Sequence, residues 1–179
     1  NLVFPNAIAI PLSLDMVLTQ WHVPIDDTSC FWYGIFTAFE QETDKKTMRE
    51  QRLALYSLPD YRPRRGKENN YGYDPAEQKN QTFTGMGMDI NVHDNWAVES
   101  PGPIHDRATE NLGTTDKAII ANRRLLMQAI DAVEEGRAPV VTLDGVTGPV
   151  AVDTIAGTGD WRIHWKESDR ARRDRSPWA

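Results

Sequence analysis

Apolar residues dominate the first forty positions, thin out between 59 and 82, and then return at helical spacing. AIAIPLSL (7–14) reads as a strand carrying an edge or bulge proline. MVLTQWHVP (16–24) is rich in β-branched and aromatic residues and predicts a second strand. CFWYGIFTAFE (30–40) is apolar on both alternating faces, which predicts a central strand covered on both sides. PIDDTS between them is a turn by composition. DKKTMREQRLAL (44–55) has helical composition and little β-branching, and it ends before Pro59.

Residues 59–82 are polar and rich in turn formers, too long for a plain connector, and predict a functional or disordered loop. A second helix starts near Asp89 and stops at Ser100, because Pro101, Gly102 and Pro103 follow. The third is the clearest: Thr114 or Thr115 caps it, Ile119, Leu126, Ile130 and Val133 share a stripe, and Gly136 with Pro139 ends it. Strand character then returns in VVTL, a DGVTG turn, PVAVDTI and WRIHW (161–165). The layout is α+β, a sheet with a few helices laid against it.

Composition narrows the function. The chain has 179 residues, 40% of them hydrophobic, enough for one respectable core. A net charge of -6 gives no basic field for nucleic acid, and the RPRR (62–65) and RARRDR (170–175) runs read as solvated loop and tail. The lone Cys30 excludes an internal disulfide and a Cys-rich metal site; in its apolar run it reads as a small buried hydrophobe. Pro5, Pro11 and Asp15 break the apolar stretches well short of a membrane span, and no basic n-region of a signal peptide is visible. The expectation is a cytoplasmic protein with neither nucleic-acid nor membrane partner. NLVFPNAIAI begins as though in mid-strand and without Met, as a piece of something longer would.

Chemistry-bearing motifs are few. There is no HxxxH pair, CxxC or GxSxG, and GMGMD (85–89) lacks the third glycine of a nucleotide loop. Of the 4 histidines, His22 reads as structural or surface and His164 as a strand face. His93 and His105 flank Asp94 in HDNWAVESPGPIHDR (93–107), so a metal site using all three stays open. On a helix Ile90, Asp94, Ala97 and Pro101 share one stripe, while Glu99 points to solvent. An acid on an apolar stripe is what a metal-binding carboxylate looks like. A buried salt bridge to Arg107, Arg123 or Arg124 would look the same, and spacing alone favours it.

Several ordered blocks within residues 15–136 carry a family resemblance: VPIDDT (23–28), YDPAEQ (73–78), TG (84–85), HDNWAVESPGPIHDR (93–107) and ENLGTTDKAIIANRR (110–124). Together they resemble the α subunits of Rieske non-haem iron ring-hydroxylating oxygenases, within them the phthalate 4,5-dioxygenase and phenoxybenzoate dioxygenase group. His93 stands where that family often has Gln, and Pro75 where it often has Arg.

The resemblance implies the C-terminal portion of a catalytic domain, in residues 1–139, followed by a strand-rich extension and charged tail in 140–179. The implied fold is a helix-grip (SRPBCC, Bet v1-like) antiparallel sheet wrapped around a long helix, incomplete in this chain. The implied activity is oxygenation or O-demethylation of aromatic compounds with O2 at a mononuclear Fe(II) held by two histidines and a carboxylate. By position Asp94 matches the carboxylate. The two histidines, and the Cys and His ligands of a [2Fe-2S] cluster, belong to upstream segments that this sequence does not contain. Ile90, Asn91, Ala97 and Val98 would line the substrate pocket, and His93 would tune polarity beside the iron. NAD(P)H electrons would arrive through a flavin- or ferredoxin-type reductase, and the implied assembly is a homotrimer. The competing readings are a non-enzymatic helix-grip carrier of apolar molecules and a degenerate subunit serving only assembly.

Overall fold

The computed structural model describes residues 2–13, 15–139 and 159–176. They form an α+β arrangement that divides into two compact units, residues 1–42 with 111–179 and residues 43–110.

The first unit holds an antiparallel sheet of 4 strands in the order β1 (Leu2–Val3), β2 (Ala7–Pro11), β3 (Met16–Pro24) and β4 (Cys30–Ala38). β3 and β4 pair along their whole length, from Met16 opposite Ala38 to Pro24 opposite Cys30. Their turn is tied by the Asp26 carboxylate, which accepts from Thr28 N at 2.8 Å and from the Ser29 hydroxyl at 2.7 Å. Those donors hold the Asp26 carboxyl below its usual range, the Ser29 hydroxyl first.

β4 corrects the expectation of a covered central strand. Among the described residues it is an edge strand, and Phe31, Tyr33 and Ile35 are exposed, as is Cys30. An apolar run reports the absence of polar side chains, not the presence of a partner. The buried part of the sheet lies at the other side, where Ala9 and Val17 pack with Phe39.

The tail brings a second correction. WRIHW is not a strand but the start of α5 (Trp161–Asp174), capped by Asp160 through Arg162 N. Trp161, Ile163 and Trp165 alternate as in a strand, but the basic continuation through Arg175 is helical and carries the aromatic segment with it. The RARRDR run is therefore not a solvated tail. Arg172 is only 2% exposed, pairs with Asp169, and lies over the Phe39 ring at 4.1 Å. Arg173 shares the Asp169 carboxylate at 2.8 Å, and Arg175 reaches Glu40 at 2.8 Å. VVTL, DGVTG and PVAVDTI lie outside the described residues.

The long helix α4 (Lys117–Glu134) forms as its composition predicts and ends at Gly136, whose φ of 72° suits a residue without Cβ. Thr114 and Thr115 do not cap it. They belong to a 3-10 turn, Thr114–Asp116, in which Asp116 accepts from Gly113 N at 2.8 Å. Its sheltered face runs through Ile120, Arg123, Leu126 and Ala129 to the fully buried Ala132, whereas Ile119, Ile130 and Val133 are exposed. Of the expected stripe, only Leu126 points inward.

The second unit begins with α1 (Lys45–Leu53), capped by Asp44, whose carboxylate accepts from Lys46 N and Thr47 N at 3.1 Å. Residues 59–82 are not a structureless loop. They hold β6 (Arg62–Pro63), paired with β5 (Tyr56–Ser57), then a 3-10 segment at Lys67–Gly72 and the short α2 (Pro75–Asn80). α3 (Ile90–Glu99) follows, capped by Asp89 through Asn91 N at 2.9 Å. Among the described residues no helix is long and apolar enough to cross a membrane.

The Arg172–Asp169–Arg173 triad makes an ordered prediction. Asp169→Ala leaves a buried guanidinium without its counter-charge and should cost about 3 kcal/mol or more. Arg172→Met, which leaves Asp169 paired to Arg173, should cost less. Thermal melting of the two variants checks the order.

Candidate functional site

α3 carries Asp94 and His93, two of the three donors suspected from the sequence, and the contacts of its other residues show which way each faces. Successive residues step about 100° round a helix. Asn91 and Val92 are buried at 7% and 6% exposure. Val92 packs with Tyr71 and Met86 as the core of this unit. At the far end Glu99 is exposed, as expected, and also accepts a 2.6 Å hydrogen bond from the Tyr71 hydroxyl. The opposite face is open: Ile90, Asp94, Ala97 and Val98 are exposed, the two branched residues at 61% and 76%.

The stripe read from the sequence holds for Ile90, Asp94 and Ala97, Pro101 lying beyond the end of α3, but it faces away from the unit's own core. Asp94 sits at the middle of an apolar exposed face. Among the described residues it makes no ion pair and no hydrogen bond. Of the arginines weighed for a salt bridge, Arg107 pairs instead with Glu110 at 2.7 Å. Of the residues expected beside Asp94, Ile90, Ala97 and Val98 share its face, while Asn91 lies at its buried border. The Asn91 amide nitrogen has no hydrogen-bond partner among the described residues.

His93 turns elsewhere. Its Nε2 lies 3.0 Å from the Thr84 hydroxyl oxygen and 3.0 Å from the Gly87 carbonyl. His105 lies 3.6 Å from Glu110. His93, Asp94 and His105 therefore do not converge, and no cluster of three His, Cys, Asp or Glu side chains occurs among the described residues.

The GMGMD loop, which matched no nucleotide motif, anchors α3 instead. Gly87 N donates to Glu77 Oε1 at 2.7 Å, and the Thr82 hydroxyl donates to the same oxygen at 2.6 Å. These donors hold the Glu77 carboxyl below its usual range, the Thr82 hydroxyl first. Arg65, exposed like the rest of the RPRR run, also donates from Nη1 to the Met86 carbonyl at 2.8 Å and so ties the loop as well as carrying charge. Gly85 is required: its φ is 69°, and an added Cβ would meet the Asp74 carbonyl at 2.7 Å. Sequence reading missed Arg65, Glu77 and Tyr71. The Gly-x-Gly spacing was the one available sign that a neighbouring backbone or side chain comes close.

The family follows from comparison. The LigXa C-terminal domain-like family model matches residues 1–176. The chain belongs to that family. It is also similar to the phthalate 4,5-dioxygenase oxygenase subunit of Pseudomonas putida, 32% identical over 151 residues. That match covers 78% of this chain and 33% of the relative, so this LigXa C-terminal domain-like chain spans about a third of that protein's length. Both matches bear out the resemblance drawn from the ordered motif blocks, to a C-terminal oxygenase domain.

Along α4, in the other unit, Leu112, Ile120, Arg124 and Met127 line an open groove of about 400 Å³. It holds no cluster of titratable donors of the kind sought at Asp94.

Tyr71 yields a pH prediction. Burial first, and then the hydrogen bond to Glu99, push its hydroxyl up to about 12. A folded-state value raised above the ordinary 10 means that the folded protein holds this proton more tightly than the unfolded chain does. The resulting stability is complete below pH 10 and is lost as pH climbs toward 12. Melting temperature should fall across that window, and Tyr71→Phe should flatten the fall.

Proposed function

We propose that this chain is the carboxylate-bearing part of the catalytic domain of an iron-dependent, Rieske-type oxygenase acting on aromatic compounds. The observation that carries the reading is the unpartnered Asp94 carboxylate at the centre of an exposed apolar helix face, within the HDNWAVES block of a family whose relative is named a dioxygenase oxygenase subunit.

The chain's own residues fit one donor position of a two-histidine, one-carboxylate centre. Asp94 is exposed and held on a helix tied at both ends, by the Asp89 cap and by the bond from Tyr71 to Glu99. No imidazole among the described residues shares its face, because His93 is committed to the 84–87 loop and His105 is at Glu110. The other two ligands would have to come from outside this sequence, and so would a [2Fe-2S] cluster, since Cys30 is the only cysteine. The chemistry that ferrous iron supplies in such a centre is reductive activation of O2.

Ile90, Ala97 and Val98 would form an apolar wall against an aromatic ring, with the Asn91 carboxamide at its border to meet a polar or carboxylate substituent. Water would be excluded from that wall only once the face is covered. Coverage by further segments of the same subunit in a helix-grip domain, in a homotrimer fed by a flavin- or ferredoxin-type reductase from NAD(P)H, completes the proposal. In the carrier reading the acid has no task, and a carboxylate in the middle of an apolar wall would weaken the binding of apolar ligands.

In the intact oxygenase subunit, Asp94→Ala should abolish turnover and mononuclear iron while leaving the Rieske absorption spectrum unchanged. Iron and activity both retained in that variant would sink the assignment. The 179-residue chain alone, loaded anaerobically with ferrous iron, should show no stoichiometric binding and no oxygen uptake with aromatic carboxylates.

A further inference from the structure

We infer that His93 is a positioning residue, which sets the rotation of α3 about its own axis and so the direction in which Asp94 is presented. This rests on the assignment of Asp94 as a metal ligand, and it replaces the expectation that His93 tunes polarity beside the iron.

The Gly87 carbonyl can only accept, so the ring proton belongs on His93 Nε2, and the same N–H is shared with the Thr84 hydroxyl oxygen at 3.0 Å. The bond is useful for positioning only if the loop cannot follow the helix. Three observations say that it cannot. Gly87 N is held by Glu77 at 2.7 Å, the Met86 carbonyl by Arg65 at 2.8 Å, and the Gly85 carbonyl by Asp74 N at 2.8 Å. Gly87 also lies so close to Arg65 that an added Cβ would stand 2.7 Å from Nη1. The loop is therefore clamped at each of the three residues that lead up to the carbonyl to which His93 is bound.

Round the helix, His93 lies about 100° to one side of Asp94, and Val92 and Glu99 lie about 140–160° away from it. Val92 is wedged against Tyr71 and Met86, and Glu99 is held by the Tyr71 hydroxyl. Those contacts, with the buried Asn91, hold the core side and one flank of α3 and leave the flank on which His93 sits to the His93 bond. The His93 bond closes that side. Without it the carboxylate would sample a range of directions, and a metal that needs its donors within a narrow cone would be held less tightly.

The test compares variants of the intact subunit by ferrous-iron affinity in anaerobic chelator competition, with hydrogen exchange of the metal-free protein as a second readout. His93→Ala should weaken iron binding roughly 10–100-fold and speed exchange across residues 84–99. His93→Gln, whose carboxamide N–H reaches the same carbonyl, should restore both. Asp44→Ala, which removes the α1 cap, should lower the melting temperature and leave iron affinity unchanged. Wild-type affinity in His93→Ala, with Asp94→Ala iron-free, would overturn the positioning role and spare the ligand. A His93→Gln variant as weak as His93→Ala, or an equal loss in Asp44→Ala, would overturn it too. Wild-type iron binding in Asp94→Ala would instead overturn the assignment of Asp94 itself.

Discussion

The backbone of residues 85–87 is the constraint on which the second unit depends. A chain that runs through the interior of a small unit must find a partner for each peptide group it buries. Here Asp74, Thr82, Thr84, Glu77, Arg65 and His93 supply those partners, each from a different point along the sequence. The apolar cluster beneath, Tyr71, Met86 and Val92, is small. Polar satisfaction of one loop, more than the volume of a core, is what joins the 3-10 segment, α2 and α3 into one body.

That balance explains what was legible in the sequence. Strands β2 and β3 and helices α1 and α3 follow from local chemistry: alternation, an Asp cap, a Pro-Gly-Pro stop. The motif blocks of the family were readable for the same reason, since each is a short run of fixed order. What local chemistry cannot report is which face finds a partner. Among the described residues the apolar β4 lies at an edge, the α4 stripe of Ile119, Ile130 and Val133 is exposed, and the basic run near the C-terminus buries Arg172. WRIHW alternates like a strand, yet it belongs to a helix whose remaining turns lie further along the chain. At the site, the stripe of Ile90, Asp94 and Ala97 was found from spacing, but its direction was not. That direction is decided by Tyr71, Met86 and the 84–87 loop, whose contacts are long-range.

The position of Asp94 also settles the physical question that an acid on an apolar stripe raises. Exposed as it is, the carboxylate incurs no desolvation penalty within this unit. The penalty arises only when another surface covers Ile90, Ala97 and Val98, because the acid would then be enclosed with them. A covering surface must therefore bring positive charge or several donors with it, and a metal with its imidazole ligands does so. The apolar face and the carboxylate make sense together in an assembled site and are at odds in an isolated one.

The exposed aromatic and aliphatic side chains of β4 have a practical consequence of their own. The strand's nine residues, Cys30–Ala38, contain no proline and no charged side chain, and among the described residues no strand lies beyond it. Natural edge strands are commonly guarded by lysine, proline or a bulge against pairing with a second molecule. Phe31, Tyr33 and Ile35 stand exposed on this one with no charge or proline among them, a combination that favours intermolecular β-sheet and precipitation at high protein concentration. A lysine in place of Ile35 would supply the missing gatekeeper.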